Sequence, residues 1–120
     1  GKWVIFVFHN ECLDDGAISY LATKDLWVAP VGRVAKYIEE RQNAHITNVV
    51  RSESEISCTL VSSLDPHLFN QKLTIRISLN PVDVRVVLVN GKTAAFTKGV
   101  DYILMNVRPS GSDDIIIMLE

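Results

Sequence analysis

The hydrophobic pattern of this chain changes period near residue 44, and that change limits what each side of it can become. Beyond Ala44, apolar residues recur at every second position. Ile56, Cys58 and Leu60 interleave with Ser57, Thr59 and Val61, and Leu73, Ile75, Ile77 and Leu79 interleave with Thr74, Arg76 and Ser78. A period of two places one face of a strand in a core and the other in water. Val84 to Val89 and Thr93 to Thr97 flank Asn90-Gly91, the dipeptide preferred in two-residue hairpins of type I′. Tyr102 to Val107 and Ile115 to Leu119 continue the series, with breaks at Leu64-Asp-Pro66, Asn80-Pro81, Lys98-Gly99 and Pro109 to Ser112. With His45 to Arg51 this makes about seven strands at the turn spacing of a small antiparallel β-sandwich.

The first 45 residues obey a different rule. Val4 to Phe8 is a continuous apolar run rich in β-branched and aromatic residues, the pattern of a strand buried on both faces. It leads into His9. Asn10 to Gly16 is polar, and Asp14 or Asp15 can cap a short helix over about Gly16 to Lys24. Leu26 to Ala29 reads as a short strand. Pro30 suits the first turn of the next helix. There Val31, Val34, Ala35 and Ile38 share one apolar face, and Lys36 and Glu40 form an i,i+4 pair on the wet side. The expected fold class is α+β, a βαβα segment followed by the sandwich. The domains are 1–45 and 46–120. Nothing Pro- or Gly-rich separates them, so direct packing is expected.

Composition narrows the function classes. The chain is 48% hydrophobic and 22% charged, as globular domains are. Its net charge of −2 comes with no Lys/Arg stripe, so no nucleic-acid partner is expected. No apolar run approaches the roughly 20 residues of a membrane span. Gly1-Lys2, without an initiating Met, is expected to mark a piece of something longer or a processed chain. Cys12 and Cys58 do not make a disulfide framework, and two buried thiols are expected. The histidines are His9, His45 and His67, without a Cys or His partner at ligand spacing. Glu11, Asp14 and Asp15 lie near His9 in sequence but read as a solvated loop or a helix cap. Ser19, Ser62, Ser63 and Ser110 sit in no nucleophile-elbow pattern. Gly91-Lys-Thr93 lacks the Gly-rich run of a phosphate loop and reads as a hairpin turn. The β part has Phe69, Phe96 and Tyr102 but no Trp, which favours packed aromatics over sugar-stacking platforms.

The segment Lys2-Trp-Val-Ile-Phe-Val-Phe-His9, followed by Leu26-Trp-Val-Ala-Pro-Val-Gly-Arg-Val-Ala-Lys-Tyr-Ile-Glu-Glu-Arg41, resembles the end of the catalytic domain of polysaccharide deacetylases, the NodB-homology carbohydrate esterases. In that family a hydrophobic strand ends in a histidine near the close of a distorted (β/α) barrel, and some members add a C-terminal β domain. The stretch Leu64 to Arg76 looks like the opening of such a domain. The resemblance implies residues 1–45 as a barrel remnant and His9 as the general acid that protonates the leaving group. It implies a polysaccharide substrate, zinc or another divalent metal in the complete domain, and an extracytoplasmic location. The family's early Asp pair and its His-x-x-x-His motif belong upstream of the matched segment, which starts at Lys2, so neither has a counterpart here; Asp14-Asp15 and Asp113-Asp114 follow that segment's start. It is therefore expected to be inactive alone, holding no metal or cofactor. The alternative is a non-catalytic binding or interaction module. Two strands and two helices cannot close a barrel. The N-terminal apolar faces are therefore expected to pack on the sandwich or pair with a second copy as a homodimer.

Overall fold

The computed structural model describes residues 4–5, 15–79 and 84–120. The chain divides into two compact units, Gly1–Val34 and Ala35–Glu120. The first contains helix α1, Asp15–Ala22, with an acidic residue in its first turn and no buried residue. Its end is closed locally. Thr23 donates both its N–H and its hydroxyl to the Tyr20 carbonyl, at 3.2 and 2.7 Å, and Lys24 lies 4.4 Å from the Tyr20 ring centre. The strand expected at Leu26 to Ala29 is absent. Among the described residues this stretch pairs with no strand, and Leu26 N–H bonds back to the Lys24 carbonyl at 2.9 Å. Leu26, Trp27 and Val28 are exposed, so the burial that would stabilise an extended apolar run is missing. Of the first expected strand only Val4 and Ile5 are described, and they carry no regular structure. Phe6 to His9, Cys12 and Asp14 lie outside the described residues.

Helix α2, Val31–Asn43, starts as expected, with the Pro30 carbonyl accepting from the N–H groups of Arg33 and Val34. Strand β1, Ala44–Arg51, follows without an intervening residue. The rest of the second unit is two antiparallel sheets. The strands are β2 Glu55–Ser62, β3 Leu73–Ser78, β4 Val84–Val89, β5 Lys92–Thr93, β6 Phe96–Lys98, β7 Tyr102–Val107 and β8 Ser112–Leu119. One sheet has the order β1-β2-β8-β4-β5, the other β3-β7-β6. Their inner faces make one core. Ile56, Cys58, Leu60, Val84, Val87, Ile115, Ile117 and Leu119 come from the larger sheet, and Ile103, Met105 and Val107 from the smaller, with Leu79 just past β3.

Register explains why β8 lies at the centre of that core. Ile117 is flanked by Ile56 on β2 and Val87 on β4, and Ile115 by Cys58 and Val89. Such cross-strand pairs are the unit of sheet stabilisation. Across the core, Ile77 opposes Ile103 and Ile75 opposes Met105 in the β3–β7 ladder, while Phe96 of β6 meets Met105 from the other side.

Two turns show local control. Asn90 and Gly91 have φ values of 51° and 73°, the two positive angles that a type I′ hairpin needs. The single strand expected over Thr93 to Thr97 is instead broken at Ala94-Ala95. Before the break β5 pairs with β4, and after it β6 pairs with β7, so the chain changes sheets there. At the next turn Gly99 N–H bonds the Tyr102 carbonyl at 2.7 Å, and the Tyr102 ring occupies the space a Cβ on Gly99 would need.

An Ile117→Ala substitution removes the side chain shared by three strands and is expected to cost about 2–5 kcal/mol in urea unfolding. Val100→Ser, at a residue 93% exposed, is expected to stay within about 0.5 kcal/mol of the parent.

Candidate functional site

The described residues bring chemistry-bearing side chains together in three places of the second unit. The first is a buried carboxylate. Glu40 in the last turns of α2 is 1% exposed, and the N–H of Gln71 donates to both of its oxygens at 2.9 Å. Gln71 lies in the segment between β2 and β3. Burial raises the Glu40 carboxyl above the usual carboxylate range, opposed by the Gln71 N–H and by the charges of Lys36 and Arg108. The expected solvent-facing Lys36–Glu40 pair is therefore corrected. Lys36 acts on Glu40 from beyond contact distance, and the one ion pair among the described residues is Arg76–Asp101 at 3.5 Å. The helix face is corrected with it, since the buried residue of α2 is Glu40, while Val31 and Ala35 are exposed and Val34 and Ile38 half-buried.

The second place is a polar lock on the Asn90-Gly91 hairpin. Asp113 enters the core side of β8 and is 1% exposed. Its Oδ1 accepts from Asn90 Nδ2 at 2.8 Å and from the Ser110 hydroxyl, and its Oδ2 accepts from the Ser110 N–H at 2.7 Å. Asn90 Oδ1 in turn accepts from the N–H of Asp114 at 2.8 Å. Ser110 has a carboxylate beside it but no imidazole among these partners, so the group is built to hold a turn rather than to make a nucleophile.

The third place is an apolar cleft of about 250 Å³. Its walls are Ile46 and Val49 of β1, Ile56 and Cys58 of β2, and residues 75–78 of β3. It lies where the two sheets present their edge strands, β1 and β3. Asn48, at φ 51°, makes a bulge between Thr47 and Val50 in the β1–β2 ladder. A bulge of this kind blunts an edge against further pairing. Arg76 at the rim is engaged, stacking 4.4 Å from the Tyr102 ring centre and pairing with Asp101. Cys58 is a free, buried thiol whose pKa burial pushes up.

The histidines fare unequally. His9 lies outside the described residues, as do Glu11, Cys12 and Asp14. His45 is exposed on β1 opposite Val61, and His67 sits in a turn where its N–H bonds Asp65 Oδ1 at 2.9 Å. Among the described residues no three His, Cys, Asp or Glu side chains gather as a metal site. Among the same residues, no helix is long and apolar enough to cross a membrane.

The sequence points to neither Glu40 nor Asp113 as a site. Glu40 is visible only as an i,i+4 partner, because its burial depends on a segment some thirty residues away folding back. Asp113 had a usable signal. It sits at an inward position of the alternating β8, where a carboxylate needs partners.

Comparison with known proteins adds little. No family model matches the chain, and no curated protein matches it. A solved two-domain M1 zinc metallopeptidase, in a mutant form bound to L-arginine, shares 13% identity with a TM-score of 0.42. The match covers 54% of this chain and 15% of that one.

Asp113→Ala leaves the Asn90 amide and two Ser110 donors without their acceptor, and is expected to cost about 1–3 kcal/mol, read from the urea midpoint. Cys58 is expected to stay unmodified by a thiol reagent in the folded chain, because the thiolate is the reactive form and burial disfavours it. Mass mapping after alkylation, native against urea-unfolded, checks this.

Proposed function

We propose that this chain is the C-terminal portion of a metal-dependent polysaccharide deacetylase, with the β-sandwich as its accessory domain. One observation carries the reading. Helix α2 forms over Val31–Asn43, lies up to Arg41 within the segment that resembles the family, and passes into β1 with no linker. Glu40 then ties that helix to the sandwich through Gln71. A deacetylase-like helix fused in this way suits a β domain that packs on a catalytic domain better than one that moves freely.

In this reading the parent hydrolyses acetyl groups on a glycan outside the cytoplasm, and the metal supplies activation of the attacking water. The described residues offer no donor set for such an ion, so no step is assigned to them. His9 is the one residue of this chain given a chemical role. As an imidazolium it donates its proton to the departing amine or alcohol, which requires a pKa near the working pH. The isolated chain is inactive. A second copy covering the N-terminal apolar segment belongs to the same reading.

A second reading, a non-catalytic interaction module, is favoured by the open cleft between β1 and β3. Glycan binding by the isolated chain in calorimetry, with no acetate release from the longer parent, would support it.

His9→Ala in the protein at its native length is expected to lower kcat for acetate release by about 10²–10⁴. Unchanged kcat, with the fold intact by circular dichroism, would remove His9 from the chemistry.

A further inference from the structure

Glu40 is a fully buried carboxylate, and among the described residues one N–H serves it. A carboxylate can accept about four hydrogen bonds, and both contacts here come from the same Gln71 amide. The charged groups that act on it are Lys36 on its own helix and Arg108 just beyond β7, and neither forms an ion pair with it among the described residues. The segment that carries Gln71, residues 63–72, also holds Asp65, His67 and Lys72. Asp65 is occupied within that segment, its carboxylate taking the His67 N–H and its carbonyl taking those of Leu68 and Phe69. Little of what water would give the ionised group is replaced. Burying an under-served charge is costly, whereas a neutral carboxyl can stay buried at far lower cost.

We propose that the junction between α2 and residues 63–72 is an acid-closed joint operated by Glu40, docked most firmly when that carboxyl carries its proton. The sign follows from linkage. In the closed junction burial raises the carboxyl above its ordinary range. In an opened junction water returns and the ordinary value is restored. The closed form therefore holds the proton more tightly. The added stability of closure is fully present below the ordinary carboxylate value and is lost as pH rises through the raised one. This runs opposite to common acid unfolding, in which paired carboxylates release structure as they protonate. In an acidic medium the joint would hold α2 on the sandwich, and at neutral pH it would open more often.

The test is amide hydrogen exchange of the whole chain from pH 4 to 8, corrected for intrinsic rates, with Glu40→Gln beside the parent. Protection at Gln71 and across residues 63–72 is expected to fall in the parent as pH rises. The expected change is about tenfold for each pH unit separating the closed and open carboxyl. Glu40→Gln is expected to flatten this profile and to protect Gln71 at pH 8 at least as well as the parent, since a neutral amide oxygen still accepts its N–H. His67 and Asp65 are unchanged in the variant, so any slope they cause would survive in it. Three results would overturn the joint: parent protection that is flat or rises with pH, a Glu40→Gln profile identical to the parent's, or a Glu40→Gln chain that fails to fold.

Discussion

Strand β8 is the element on which the sandwich depends. It lies third of five in the larger sheet and sends Ile115, Ile117 and Leu119 into the core, the first two paired from both neighbouring strands and Leu119 with Val84 of β4. Its first residues do a second job. Asp113 and Asp114 meet Asn90, so the hairpin between β4 and β5 is fastened to the strand that carries the core. Hydrophobic burial and the polar lock therefore act along one strand, and the lock sits at its end, where side chains from turns can reach a buried carboxylate.

The sheets are unequal, five strands against three. β1 extends the larger sheet beyond the cover of the smaller, which is why Ile46 and Val49 line an open cleft instead of a core. Helix α2 feeds this edge strand directly. At the junction a buried carboxylate, Glu40, takes the backbone N–H of Gln71, as Asp113 takes that of Ser110. Glu40 is the buried titratable side chain at that junction, as Asp113 is at the hairpin.

Much of the second unit was legible in the sequence because its strands alternate cleanly. Ile56, Cys58 and Leu60 are buried as their period requires, and Asn90-Gly91 turns as its backbone freedom predicts. Legibility failed where tertiary context decides. Leu26 to Ala29 has strand composition but no pairing partner among the described residues, and composition cannot supply one. Thr93 to Thr97 reads as one strand because propensity does not see which sheet each residue joins. Lys36 and Glu40 have the spacing of a surface pair, yet a distant segment buries one of them. His9 was the candidate of greatest chemical consequence, and its role rests on resemblance alone.

In the proposed reading, this β domain is joined through α2 to the end of a deacetylase barrel. The measurement that tests this most directly is the coding sequence upstream of Lys2 in the source gene. The account expects an in-frame extension carrying an Asp-Asp pair and, after it, a His-x-x-x-His motif. An upstream coding sequence without those motifs, or none at all, would contradict it and leave a non-catalytic module.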